Sequence, residues 1–386
     1  MNTYLKAGLA IALAAAAPSI GRADAAGFKT LYSFAGGNDG SLPTAGLVLD
    51  KAGSLYGTTE LGGGHGAYGS GTVFKIAPDG SETLLYAFAA GGDGAEPYAG
   101  LYRDKKGNLY GTTIVGGGMG CYEHAGCGTV FKITPGGKEK ILYAFAGGTA
   151  DGSSPESNLI SDDAGNLYGT TYQGGTDNAG TIFKLAPDGT ETVLHSFASR
   201  DDGGLPVGGL IKDSAGNFYG TATEYGPSSA GTVYKLAADG TLTVIYSFSD
   251  TVACLEPFGS LKSDSGGNLY GTTFFTAGCL FKLAPDGTET TLYEFDGTGD
   301  GGFPEAGVIG NKTGTRIYGT NSGGPYDSGS VFRFENNTET VLHSFTGGSD
   351  GAAPTDPLVM GADGKLYGTT SGGGAHGDGT IFEVKD

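Results

Sequence analysis

Tryptophan is absent from the 386-residue chain, and methionine occurs only three times. The absence of tryptophan removes the largest ring a sugar-stacking surface could use. Basic residues are scarce: 22 Lys and Arg stand against 41 Asp and Glu, for a formal net charge of −19. Nucleic acid and anionic lipid surfaces repel such a chain and are excluded as main partners. Charged residues make up only 16 % of the total, against roughly 25 % in an average domain, too few for long solvated helices. No apolar run beyond the N-terminus approaches the ~20 residues that span a bilayer. The four cysteines form no C-x-x-C, so neither a zinc knuckle nor a thioredoxin-type motif has support.

Glycine, by contrast, accounts for 76 residues, and 21 Tyr and 20 Phe accompany it. Few disordered segments carry so many aromatics, so the composition points to a folded, turn-dense all-β protein. Residues 1–25 read as a signal peptide: Lys6 supplies the positive end, residues 7–17 the apolar stretch, and Ala23-Asp24-Ala25 the cleavage site. A membrane anchor is the alternative, and the apolar stretch is too short for it. The expectation is a secreted or periplasmic protein, monomeric and not inserted in a membrane after cleavage, with residues 26–386 forming one domain.

Internal periodicity decides the fold. Leu-Tyr-Gly-Thr-Thr or a close variant recurs with its tyrosine at Tyr56, Tyr110, Tyr168, Tyr219, Tyr270, Tyr318 and Tyr367. Four strand-like segments accompany each copy: a (45–50, AGLVLD), b (55–59, LYGTT), c (71–76, GTVFKI) and d (82–88, ETLLYAF) in the first. Asp79-Gly80 between c and d is a hairpin signal. Segment d is apolar on both faces, with Leu84, Tyr86 and Phe88 expected on one and Leu85 and Ala87 on the other. Strands buried on both sides fit four-stranded sheets stacked around an axis, a β-propeller. A linear β-solenoid is opposed by the chain ends. The last copy stops at segment c (379–384, GTIFEV), and residues 28–34 (FKTLYSF) form an orphan segment d. Seven blades of four antiparallel strands follow, the ring closed by the N-terminal strand completing the last blade.

The pattern AGL…D…GNLYGTT…GG…GTVFKL.PDG.ET.LYSF resembles the GloVer tandem repeat of exported bacterial choice-of-anchor proteins, over essentially the whole chain after residue 25. The resemblance implies a secreted propeller, often tethered at one end, and brings no catalytic residue with it. The chain departs from the tethered form by stopping on a strand at Asp386.

In such a blade the d–a and b–c connections share one rim, and tight hairpins occupy the other. The b–c connections vary most, from residues 274–277 to residues 114–127, and variable loops on a rigid scaffold are where binding usually sits. Aromatics collect there: Tyr68, Tyr98, Tyr122, Tyr172, Tyr225, Phe258, Phe274, Phe275, Phe303 and Tyr326. Carboxylates interleave with them at Glu96, Glu156, Glu256 and Glu305. Rings with polar tips beside carboxylates suit a glycan, peptide or protein ligand. A polysaccharide hydrolase or lyase using rim carboxylates is the alternative, and a structural surface component a third.

Two motif matches fail. Residues 347–351 match G-x-S-x-G and residues 64–69 match G-x-G-x-x-G, but strands follow where each chemistry needs a helix. Asp39, Asp93, Asp151, Asp202, Asp300 and Asp350 recur in the d–a turns, as a ring for Ca²⁺ or as turn-forming residues. Repetition in nearly every blade favours the turn role. His195 and His343 occupy a tyrosine column, whereas His65 and His376, with Asp327, hold loop positions from which a metal could be bound. Cys121 pairs with Cys127, and Cys254 with Cys279, because crossed pairs would span the ring, far beyond the ~4.4–6.8 Å Cα separation of a disulfide.

Overall fold

A computed structural model describes residues 27–65, 69–118, 120–121, 125–249, 254–323 and 328–386; the signal-peptide reading of residues 1–25 lies outside them. Seven four-stranded antiparallel sheets form a seven-bladed β-propeller. The first is typical: Val48–Leu49, Leu55–Thr59, Thr72–Ile76 and Glu82–Ala87 pair in sequence order. The ring closes as expected. Phe28–Ser33 lies antiparallel to Thr380–Val384, Phe28 opposite Val384 and Ser33 opposite Thr380, as the outer strand of the last blade. Both disulfides join the expected partners, with Cα separations of 5.1 Å for Cys121–Cys127 and 5.4 Å for Cys254–Cys279.

Each residue of the Leu-Tyr-Gly-Thr-Thr signature has a separate task. Leu55 is core. The Tyr56 hydroxyl donates to Asp50 of the a–b hairpin at 3.0 Å. Gly57 lies under the Phe74 ring, where an added Cβ would stand 2.6 Å from Cζ. Thr58 donates to the Ala99 carbonyl of the next blade, and Thr59 shares a 2.7 Å hydrogen bond with Thr72 on strand c. One pentapeptide thus supplies core, hairpin, ring clearance and a bond between blades.

A second repeated device clasps each blade to the next. The residue before the proline of every a segment has φ between 53° and 59°: Leu42, Glu96, Ser154, Leu205, Glu256, Phe303 and Ala353. Such a conformation costs a non-glycine residue on the order of 1–3 kcal/mol. It is held because the N–H donates to the preceding blade, as from Glu96 to the Ser70 carbonyl at 3.0 Å. The following proline rests on a glycine of that blade, Pro97 on Gly71 and Pro43 on Gly379.

Strand d departs from simple alternation. A β-bulge between Val73 and Phe74 leaves Leu84 opposite Phe74 but Tyr86 opposite Val73. Leu84 is exposed, while Leu85 and Tyr86 pack on the core. The expected grouping of Leu84 with Tyr86 and Phe88 is therefore wrong, because the extra residue shifts the register.

The d–a aspartates serve the turn and one side chain. Asp39 accepts from the Tyr32 hydroxyl at 2.6 Å and from the Ala35 N–H at 2.7 Å, and Asp93 and Asp151 repeat the arrangement. A glutamate of the following blade faces each: burial, then the nearby Asp39, Asp93, Asp151 or Asp300, raises Glu82, Glu139, Glu191 and Glu339 to about 7. Where histidine replaces the tyrosine, at His195 and His343, the equivalent glutamate position of the following blade is apolar, Leu242 and Phe28. Phe28 stacks on His343 with centroids 3.7 Å apart.

These glutamates set a pH dependence. Their folded pKa lies above the ordinary value, so their contribution is fully present below ~4.5 and lost as pH rises through about 7. The hairpin aspartates Asp50, Asp104, Asp162, Asp213 and Asp264 are lowered through their hydrogen bonds, which outweigh burial, and act oppositely below the usual carboxylate range. Thermal melts should show the Tm falling from pH 5 to pH 8 by several degrees, roughly 2–4 °C per kcal/mol lost, and falling again below about pH 3.5. A Tm that stays level or rises between pH 5 and 8 contradicts this assignment.

Candidate functional site

The seven a segments converge on the propeller axis, and small residues allow it. An added Cβ on Gly259 would stand 2.3 Å from the Gly307 nitrogen, and one on Gly307 2.6 Å from the Ser260 carbonyl oxygen. Backbone meets backbone here, and the axis narrows to a cavity of about 50 Å³ lined by Tyr98, Glu156, Val207, Phe258, Glu305, Thr355 and Asp356, among others. Among the described residues no Lys, Arg or His lines it.

Around this cavity the sevenfold symmetry is broken. The residue after the proline is Thr44, Tyr98, Glu156, Val207, Phe258, Glu305 or Thr355 in successive blades. The next position is Ala45, Ala99, Ser157, Gly208, Gly259 and Ala306, then Asp356 in the last. Asp356 Oδ2 is buried and has no hydrogen-bond partner. Burial, then Glu305, holds its carboxyl well above the ordinary range. Burial, then Glu60, pushes Glu156 up to about 7. Glu305 is also raised by burial, although its Oε1 accepts from the Ser322 hydroxyl at 3.0 Å. Burial and the same four carboxylates raise the Tyr98 phenol.

An aromatic arc continues from Phe258, which lines the cavity with these carboxylates. The Phe274 ring lies 5.8 Å from Phe258 and 5.7 Å from Phe303. Phe303 is 38 % exposed despite its size. It occupies the strained position before a proline, and the backbone N–H of Glu305 donates to its carbonyl at 3.0 Å. Phe303 of the arc and Glu305 of the cavity are therefore parts of one backbone turn entering blade six.

Of the residues expected to bind ligand, the structure gathers Tyr98, Phe258, Glu156 and Glu305 at the axial cavity, with Phe274 and Phe303 joined to it only through ring contacts with Phe258 and each other. Glu96, Tyr172, Tyr225, Glu256 and Phe275 stand apart from the cavity lining. Tyr225 and Phe275 are exposed. Tyr68, Tyr122, Tyr326 and Asp327 lie outside the described residues. His65 and His376 are exposed on their loops, and among the described residues no three His, Cys, Asp or Glu side chains are arranged to hold a metal ion. Asp356 and Glu60 escaped the sequence reading. The signal for Asp356 was available: it is the one charged residue in a column otherwise filled by Ala, Ser and Gly.

A second hollow of about 310 Å³, near Asp264, Tyr270, Gly314 and Asn337, lies between blades five and six on the hairpin side. Its Asp264 is already engaged by Asn268 and Tyr270.

The Gloeobacter/Verrucomicrobia repeat model matches residues 17–164, 64–276 and 256–386. No curated protein matches the sequence. Among solved structures, the extracellular domain of a B. thetaiotaomicron protein assigned as a one-component system aligns with TM-score 0.58 at 10 % identity. That alignment covers 92 % of this chain and 40 % of the other, so the present chain spans well under half of that domain. A Bacteroides uniformis protein assigned as a 6-phosphogluconolactonase aligns with TM-score 0.53 at 17 % identity, over 78 % of this chain and 84 % of that one. At these identities the likeness is one of fold.

Proposed function

The chain belongs to the Gloeobacter/Verrucomicrobia repeat family, and we propose that it is an exported, non-catalytic propeller that binds a glycan, peptide or protein at the axial mouth. Export rests on the N-terminal segment and on two disulfides, which persist in oxidising compartments. Among the described residues no helix is long and apolar enough to cross a membrane. The observation that carries the binding reading is the axial cavity that brings Tyr98 and Phe258 together with Glu156, Glu305 and Asp356, at a column of the repeat where Thr, Tyr, Glu, Val and Phe replace one another.

The electrostatics favour binding over hydrolysis. Acid–base catalysis uses two groups whose pKa values are pushed apart, one kept protonated and one ionised. Here Glu156, Glu305 and Asp356 are all raised, each first by burial. All three are shifted in the same direction and not apart.

Glycan and peptide arrays, run beside a turnover assay on soluble polysaccharides, test the reading. The protein should retain particular ligands and release no product. Replacing Phe258, Phe274 and Phe303 together by alanine should weaken retention by at least about 30-fold, the loss expected if only one of them is a central aromatic anchor contributing ~2 kcal/mol. Product release from any polymer, or retention unchanged in the triple variant, would overturn the proposal.

A further inference from the structure

Resting on that reading of the axial mouth, we infer that the cavity receives a protonated primary amine carried on a slender unbranched chain, with Asp356 and Glu305 as its counter-charges and the cavity-lining rings Phe258 and Tyr98 beside its stem. Three observations converge on this chemistry. Asp356 Oδ2 is a buried acceptor without a donor and lines the cavity. A buried acceptor of this kind costs about 1–3 kcal/mol while unpaired, and more if charged, so a ligand that donates to it gains what the empty site lacks. Among the described residues no Lys, Arg or His lines the cavity to compete for that place.

The remaining features select among cations. With no three acidic or imidazole side chains arranged around a common point among the described residues, a bare metal ion would be under-coordinated. An ammonium group needs only two or three acceptors and carries its own donors. At about 50 Å³ the cavity is small and its entrance is bounded by backbone. A compact ammonium head on a methylene chain fits this shape better than a planar guanidinium or a sugar ring. The faces of Phe258 and Tyr98, which line the cavity, attract a cation and pack against methylenes. The chain's acidity steers such a ligand in from solution.

Binding an ammonium should draw protons from the site. Glu60, Tyr98, Glu156, Glu305 and Asp356 are the titratable groups that face one another there, and burial keeps Glu156, Glu305 and Asp356 above their ordinary values. The amine itself stays protonated up to pH ~10. Affinity should therefore rise with pH across the range where a purely hydrophobic ligand would bind equally well.

The test is calorimetric titration of the purified exported protein with 1,5-diaminopentane, 1,5-pentanediol, a lysine-bearing peptide and the same peptide acetylated on lysine. The diamine should bind one per chain, about tenfold more tightly at pH 8 than at pH 6, and release protons to the buffer; the diol should not bind. D356N and E305Q should each weaken the diamine at least about tenfold. D356N should melt no lower than the parent, which separates loss of binding from loss of fold. A lysine peptide that binds more tightly than the diamine, and fails once acetylated, identifies a protein ligand; the reverse order identifies a free polyamine. Equal binding of diol and diamine, a D356N protein that titrates like the parent, or no amine binding at pH 8 would overturn the inference. Array ligands retained without any amine would do so too, while leaving the binding-module reading intact.

Discussion

A chain lacking residues 26–35 should lose its cooperative melting transition near the parent Tm and populate soluble aggregates. The deletion removes the whole outer strand Phe28–Ser33 and leaves Thr380–Val384 as an unprotected edge. It also removes Phe34, which is fully buried with its ring 5.0 Å from Phe74 of the first blade, and Phe28, which stacks on His343 of the sixth. These two rings tie the last blade to both of its neighbours. Each buried Phe contributes about 3–5 kcal/mol by truncation data, so their joint loss rivals the ~5–15 kcal/mol that holds a typical domain folded. Phe34→Ala alone should cost about 3–5 kcal/mol in urea unfolding. A synthetic peptide of residues 26–35 should restore part of the lost transition. Unchanged melting of the truncated chain would mean that the ring closes by another route.

The second large effect is expected from a single methyl group. Gly71 has φ +93°, and a Cβ there would stand 2.4 Å from Pro97 Cδ and 2.6 Å from the Thr59 carbonyl oxygen. Gly71→Ala should lower stability by about 3 kcal/mol or more, combining backbone strain with displacement of the clasp between blades one and two. Gly92→Ala is the control. Nothing lies within 4 Å of its added Cβ and its φ is not in the left-handed region, so its effect should stay within about 0.5 kcal/mol. Equal effects at the two sites would show that the Gly–Pro contact is not what joins the blades.

Much of the architecture was legible in the sequence because each repeat states it again. The tyrosine of every signature marks a second strand, Asp79-Gly80 and its counterparts mark hairpins, and the unmatched segment d at Phe28 can be completed only by the last blade. The cysteine pairs followed from the size of the ring. The bulge in strand d was hidden, since apolar residues stand on both sides of it and only the pairing of Leu84 with Phe74 reveals the extra residue. Nothing local marks Leu42 or Phe303 as left-handed: the strain comes from the hydrogen bond to the neighbouring blade, a long-range partner. The axial site was half legible. Tyr98, Glu156 and Glu305 were visible as rim residues, but their convergence depends on which face of segment a turns inward. Asp356 becomes conspicuous once the seven copies are compared column by column.

The most direct test of the central claim, that this propeller binds at its axial mouth, is hydrogen–deuterium exchange of the protein with and without its strongest array ligand. The account predicts added protection in peptides spanning residues 96–101, 155–159, 303–308 and 354–358, with the c–d hairpins at residues 77–81 and 186–190 unchanged. Protection confined to those hairpins, or to the outer strands, would contradict it.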